Sequence, residues 1–245
     1  MFCDTHCHIL SEYYEDIDEI LKEAKEAGVS RLINAAYNFE SSKEVMTLVK
    51  KYPEMYGVVG LHPENISEDF DYTIFDNLDK KIVGIGEIGL DYHYTKDNKD
   101  KQIEVFERQL DIAEKLNLPV VIHSREAAGD TLEILKKHHN FGVIHSFSGS
   151  LEMAREYIKL GFVLGVNGVV TFKNCNLKDT LKNIDINSII LETDSPYLTP
   201  VPFRGTQNNP GKMMNTARFV ADIYGISLSE LAEITNQNIK RIFDI

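Results

Sequence analysis

His6 and His8 stand one residue apart, and His123, His145, Glu87 and Asp194 add four further side chains with strong ligand chemistry. Imidazole nitrogens and carboxylate oxygens are the donors that divalent cations take, and a cation held by them acidifies water for hydrolysis. In a strand the side-chain period is two, so His6 and His8 point the same way and can grip one ion. Cys7 between them points oppositely and reads as a small buried apolar residue. Taken singly, each residue has an ordinary structural use. His123 can be a hydrogen-bonded core histidine, Glu87 can pair with a buried Arg or Lys, and Asp194 can cap a turn. Together they are harder to explain that way, because burying four imidazoles and two carboxylates without counter-charge costs several kcal/mol per ion. A metal removes that cost. His62 is a fifth histidine of the same kind. His138 and His139 follow Lys136 and Lys137 in a helical stretch and read as solvated, and His93 lies on a loop without an assigned use.

These residues fall at the ends of short apolar, β-branched runs: Met1–His6, Ser30–Ala36, Met55–Leu61, Lys81–Leu90, Leu118–Ser124, Gly142–Phe147, Gly161–Val166 and Ser188–Thr193. The runs are nearly continuous rather than alternating, as strands covered on both faces are. Helical segments separate them. In 101–117, Ile103, Phe106, Leu110, Ala113 and Leu116 recur three or four apart, with charged residues between. Gly28 reads as the C-terminal cap of a helix over 16–27, and Ser227 with Glu230 as a capping box before the last helix. Residues 176–186 are the least marked helix. Eight strands alternating with helices predict an α/β chain forming one (β/α)8 TIM barrel over 1–245. A doubly wound open sheet alternates in the same way, but the count of eight and the lack of a glycine fingerprint favour the barrel. No Pro/Gly/Ser-rich linker divides the chain. In such a barrel all strands run one way, and their C-terminal ends meet at the rim where chemistry is done.

Composition narrows the partners. The chain has 245 residues, 43% of them apolar, and a formal net charge of −12. A chain this acidic does not coat nucleic acid through bulk charge, so any such substrate must meet a local positive site. The three cysteines, Cys3, Cys7 and Cys175, form no C-x-x-C pair, which makes a disulfide framework improbable and fits a reducing cytoplasm. The first 30 residues do not read as a signal peptide, and no run approaches a membrane span. No membrane and no obligate protein partner are expected.

Six segments carry a family resemblance: Asp4-Thr5-His6-Cys7-His8, Gly60-Leu61-His62-Pro63, Gly86-Glu87-Ile88-Gly89-Leu90-Asp91-Tyr92, Pro119-Val120-Val121-Ile122-His123-Ser124-Arg125, His145-Ser146-Phe147-Ser148-Gly149-Ser150 and Glu192-Thr193-Asp194-Ser195-Pro196-Tyr197. In this order and over nearly the whole chain, the sequence resembles the TatD family of metal-dependent deoxyribonucleases, (β/α)8 enzymes of the amidohydrolase superfamily. The resemblance implies that His6, His8, Glu87, His123, His145 and Asp194 hold the metals, with Glu87 bridging two ions. Asn209-Pro210 stands where members often have Glu-Pro, and Thr199 where Ala is common. Both departures bear on substrate preference.

The charges point to a mechanism. Counting Glu87 and Asp194 as −2, one divalent ion leaves the site neutral, and two leave it positive and attractive to a phosphodiester. Two divalent ions are therefore expected. Imidazole-rich ligation favours Zn²⁺, Mn²⁺, Fe²⁺ or Co²⁺, and the resemblance allows Mg²⁺. Asp194 is the candidate to accept a proton from water, and His62 to contact a phosphoryl oxygen or the leaving group. Arg204 resembles the family's phosphate-facing arginine; its other use is a surface ion pair. Ser148, in Ser148-Gly149-Ser150 before a predicted helix, is a candidate anion contact, with Ser150 as the helix cap. The expected activity is hydrolysis of DNA, from an exposed end. The alternatives are an amide, lactone or other ester in a small molecule on the same barrel, and a non-catalytic barrel that binds metal or a protein.

Overall fold

The chain is described by a computed structural model covering residues 1–93 and 97–245. Eight strands form one parallel sheet in chain order: β1 (Phe2–Cys7), β2 (Val29–Ala35), β3 (Met55–Val59), β4 (Ile82–Asp91), β5 (Val120–Arg125), β6 (Gly142–Ile144), β7 (Phe162–Val166) and β8 (Ile189–Leu191). Helices α1 (Ile17–Ala27), α2 (Phe39–Lys51), α3 (Lys99–Leu116), α4 (Ala128–Leu135), α5 (Leu151–Lys159), α6 (Leu177–Leu181), α7 (Met213–Tyr224) and α8 (Leu228–Phe243) lie between and after them. The sheet curls until its ends meet. The Asp194 amide donates to the His6 carbonyl, the His8 amide donates to the Ser195 carbonyl, and Cys7 bridges Ser195. This is the (β/α)8 barrel that the alternation of elements predicts.

Every strand contributes to a buried apolar set inside the barrel: Cys3, Ile33, Val58, Val83, Val121, Val143, Val163 and Ile190. Ile239, Ile242 and Phe243 of α8 pack against this set. A larger apolar layer joins strands to helices and contains Cys7, which is fully buried as expected. Caps anticipated from the sequence are present. Gly28 closes α1 at φ 99°, where a residue with a Cβ is strained, and Ser227 and Glu230 form the box at the start of α8.

The strand ends differ from expectation in three places. β3 stops at Val59, β6 at Ile144 and β8 at Leu191, so His145 sits just past its strand rather than within it, and His62 and Asp194 lie further beyond theirs than the runs suggest. The backbone explains two of these stops. Ser146 and Asp194 take φ of 48° and 56°, a left-handed turn that ends extended pairing. Over residues 176–186 the helix is limited to α6, and a 3-10 turn at Ile186–Ser188 precedes β8.

Candidate active site

Strand parity carries two of the residues to the rim: two beyond inward-facing Val121 lies His123, and two beyond Val143 lies His145. Glu87 lies in β4 where its pairing with β5 shifts register between Ile85 and Ile88, and His62 and Asp194 lie on the loops that follow β3 and β8. β1 reaches the same place differently. Its pairing with β2 shifts register between Asp4 and Cys7, and the shift lets His6 and His8 both face the centre.

One group of donors surrounds Glu87 Oε2. His6 Nε2 lies 3.3 Å from it and His8 Nε2 3.7 Å. The two Nε2 atoms are 3.3 Å apart, and Asp194 Oδ1 is 3.8 Å from His6 Nε2 and 3.4 Å from His8 Nε2. Ligands held tetrahedrally at about 2.1 Å from a cation stand about 3.4 Å from one another. The observed spacings are of that size, and the donor chemistry fits a divalent metal. The His8 ring is also set for the role: its Nδ1 lies 2.9 Å from the Ala35 carbonyl, which accepts from Nδ1–H and leaves the Nε2 lone pair facing the cleft.

A second group surrounds Glu87 Oε1. His123 Nδ1 lies at 2.9 Å, His62 Nε2 at 3.5 Å and His145 Nε2 at 3.8 Å. His145 also stands between the groups, with Nε2 at 3.6 Å from Asp194 Oδ1 and its ring stacked on His6. All six residues with expected metal-binding roles are therefore brought together, and Glu87 presents one oxygen to each group. His62 differs from the others. Its Nδ1 accepts from the Glu64 amide at 3.2 Å, so Nε2 carries the proton and faces the cleft as a donor rather than as a ligand.

Two buried carboxylates that sequence reasoning left without a role stand behind the histidines. Asp91 Oδ2 lies 2.9 Å from His123 Nε2. Glu192 Oε1 lies 2.9 Å from His145 Nδ1, an ion-pair contact off the line of the ring N–H rather than an aligned hydrogen bond. Gly165 makes room for Glu192, since a Cβ there would meet Glu192 Oε2 at 2.3 Å. Both residues were visible in the segments Gly-Leu-Asp-Tyr and Glu-Thr-Asp. The signal available was an acid with inward parity or adjacent to a ligand. Counting them changes the carboxylate charge of the site from −2 to −4.

The electrostatics follow from this packing. Burial opposes charge on Glu87, yet the His62, His145 and His6 rings and the bond from His123 hold its carboxyl well below the usual carboxylate range. Burial likewise opposes Asp194, and His145 with His8 lowers it. Burial disfavours the charged form of His123, but its bonds to Asp91 and Glu87 push it up to about 9. The charges of Glu192, Asp194 and Glu87 push His145 up to about 10 against the same penalty. Burial holds His6 and His62 below the ordinary histidine value.

His8, Glu87, His123, His145 and Asp194 line a cavity of about 700 Å³. Tyr13, Tyr37 and Tyr197 line it on the His8 side, and Arg125, Ser146 and Ser148 line it elsewhere. Ser148 thus reaches the cleft as expected, and Ser150 caps α5 through the Met153 amide. Arg204 is not among the lining residues. Its guanidinium lies 3.9 Å over the Phe172 ring and donates to the Thr199 carbonyl, so the structure does not bring it to the donors. Among the described residues that line the cleft, Arg125 is the cation. Away from the site, His93 faces Glu126, His139 is exposed, and His138 is tucked near Asp111 and Glu114 rather than solvated. Asn209 caps the 3-10 turn before α7 and donates to Glu23.

A parallel barrel whose rim gathers histidines and carboxylates in this way defines a metal-dependent hydrolase. A family model described as TatD related DNase matches residues 3–244, and the chain belongs to that family. It is 38% identical over 254 residues to the Bacillus subtilis protein YabD, named an uncharacterized metal-dependent hydrolase, with 100% of both chains covered. It is 31% identical to human deoxyribonuclease TATDN3 over 98% of this chain and 93% of that protein. The crystal structure of YJJV, a TatD homologue from Escherichia coli, superposes with a TM-score of 0.93 at 29% identity, covering 100% of this chain and 98% of that one. Among the described residues, no helix is long and apolar enough to cross a membrane.

Proposed function

We propose that this protein hydrolyses phosphodiester bonds of DNA, working inward from an exposed end, with two divalent cations held at the rim. The observation that carries the reading is the division of Glu87: Oε2 faces His6 and His8 while Oε1 faces His123. His6, His8 and Asp194 would complete one position, His123 and His145 the other. Cations bound there would acidify water and polarise a phosphoryl oxygen. Asp194, held anionic at the mouth of the pair, accepts the proton of the attacking water. His62 presents Nε2–H to a non-bridging oxygen or to the departing oxygen. Arg125 and Ser148 stand on the cleft wall where an anion can be held. Two divalent ions just offset Glu87, Asp194, Asp91 and Glu192. The pull on a phosphodiester therefore rests on Arg125 as well as the metals.

The similarity to a human deoxyribonuclease supports DNA as the substrate. One observation favours a second reading, an ester, lactone or amide in a small molecule: Arg204 turns to Phe172 instead of the donors. The test is incubation of metal-loaded protein with end-labelled single- and double-stranded DNA, with and without chelator, beside small ester and amide substrates. Chelator-sensitive release of mononucleotides is expected. Turnover of the small esters alone would transfer the assignment to them.

A further inference from the structure

Tyr197 is 50% exposed, one of the few large apolar side chains so placed, yet its backbone is fixed from both sides. Its amide donates to the Asp194 carbonyl at 2.8 Å. Its carbonyl accepts from Asn208 Nδ2 at 2.6 Å, and the same fully buried amide donates to the Thr193 carbonyl at 3.0 Å. The Tyr197 hydroxyl meets that of Tyr13 at 3.0 Å, with the rings 5.9 Å apart and nearly perpendicular. Tyr13 is held in turn by Gln207, whose Nε2 donates to its carbonyl at 2.8 Å. The Tyr197 ring centre is 6.3 Å from that of His8, and both tyrosines line the cavity that holds Glu87 and Asp194. An exposed ring on a mobile loop needs no explanation. A ring tied rigidly to the backbone of Asp194, and left open toward the cleft, is a surface prepared for a flat ligand, because ordering it in advance removes that cost from binding.

We propose that Tyr197, braced by Tyr13, is a stacking platform for the nucleobase of the terminal nucleotide. This subsite rests on the nucleotide reading above and extends it. It makes one wall of the cleft aromatic, while Arg125 and Ser148 occupy the polar remainder. Every base has a π-face, so such a platform accepts all four bases and gives end binding without sequence preference.

The chain contains no tryptophan, so Tyr197→Trp places a single reporter at the platform. In metal-loaded protein, deoxyadenosine monophosphate should quench its emission saturably, and deoxyribose 5-phosphate should not. Equal quenching by both, or none by either, overturns the proposal. As a second measurement, Tyr197→Ala should raise KM for a short oligonucleotide about tenfold, with kcat changed much less. Tyr197→Phe, which keeps the ring and loses the hydroxyl bond to Tyr13, should restore the lower KM. If Phe behaves like Ala, the residue is a structural latch and the platform is refuted. The reporter reads nucleotide binding without turnover. Quenching without DNA cleavage would leave the platform standing and remove the nuclease reading, and cleavage without quenching would do the reverse.

Discussion

Asp4 and Thr193 are joined across the seam where the barrel closes. Asp4 Oδ1 accepts from the Thr193 amide at 2.9 Å, and Oδ2 lies 2.5 Å from the Thr193 hydroxyl. The same Oδ1 lies 3.3 Å from the His6 amide. One carboxyl thus ties the strand that carries His6 and His8 to the turn that carries Asp194. That turn has a left-handed residue at Asp194 and needs such fixing.

The tie should make stability depend on pH. Burial pushes the Asp4 carboxyl from its ordinary 3.8 up to about 8, against the hydrogen bonds that favour its anion. The folded state therefore holds a proton that the unfolded chain has released. The stabilisation is fully present below pH 3.8 and is lost as pH rises toward about 8. Asp4→Asn has the shape of the neutral acid and cannot titrate. Comparing denaturant unfolding of the two metal-free proteins, wild type should lose up to a few kcal/mol relative to Asn between those limits. A constant difference over that range would show that Asp4 does not titrate as described.

Glu87 is the residue on which both donor groups depend. Glu87→Ala should bind less than one equivalent of metal and lose activity by about a thousandfold or more, the scale on which metal-assisted chemistry disappears. The fold should survive, since the barrel interior is built from Cys3, Val83, Val121 and their neighbours and not from Glu87. Metal analysis after dialysis, kinetics and circular dichroism together test this. Stoichiometric metal with retained turnover would remove Glu87 from its shared position.

Much of this site was legible because strand parity is simple. In a parallel barrel, a histidine or acid ending an apolar run has only one rim to join, and His6, His8, Glu87, His123, His145 and Asp194 do join there. What the periodicity could not give lies beyond the strands. Ser146 and Asp194 leave extended geometry through positive φ, so their loops' directions follow from turn geometry rather than from pattern. Arg204 sits on such a loop, and its stacking on Phe172 depends on a contact between segments 32 residues apart. Asp91 and Glu192 were hidden for another reason. Their use is set by which ring nitrogen of His123 or His145 faces away from the cleft, and a residue type does not record that. Short strands such as β6 and β8 were overestimated because buried loop residues, among them Phe147 and Thr193, are as apolar or β-branched as strand residues.

Metal uptake should strengthen steeply with pH. Without a cation, His123 and His145 are held protonated up to about 9 and about 10 by the carboxylates beside them. A cation must displace both protons, so below about pH 9 apparent affinity should rise about 100-fold per pH unit, ten for each proton released. Calorimetry between pH 6 and 8 in buffers of different ionisation heat reads the proton count directly. Glu192→Gln removes the leading contribution to the His145 shift, so its slope should fall toward one proton. Its plateau affinity should drop 10–100-fold, as losing the partner of a ligating histidine does. A wild-type slope near zero would mean that the histidines are neutral before metal arrives.

The two arginines separate the readings of the substrate. Arg125 lines the cavity beside Ser124 and His123 and its charge acts on Asp91, and Arg204, outside the lining, packs on Phe172 and donates to the Thr199 carbonyl. A charged hydrogen bond to a phosphate contributes about 1.5–3 kcal/mol, or about 10- to 100-fold in binding. If the bond cleaved is a phosphodiester, Arg125→Ala should raise KM for an oligonucleotide by that factor and steepen no dependence on pH, since guanidinium does not titrate in this range. Arg204→Ala should change kcat/KM by about twofold or less, because its cation–π contact is at an exposed site and away from the donors. The same pair of variants, assayed on an uncharged ester, should show no effect at Arg125, where there is no anionic oxygen to hold. An Arg204 effect as large as that of Arg125 would place the phosphate on the Phe172 side of the barrel, and would require the loop carrying Arg204 to turn inward when substrate binds.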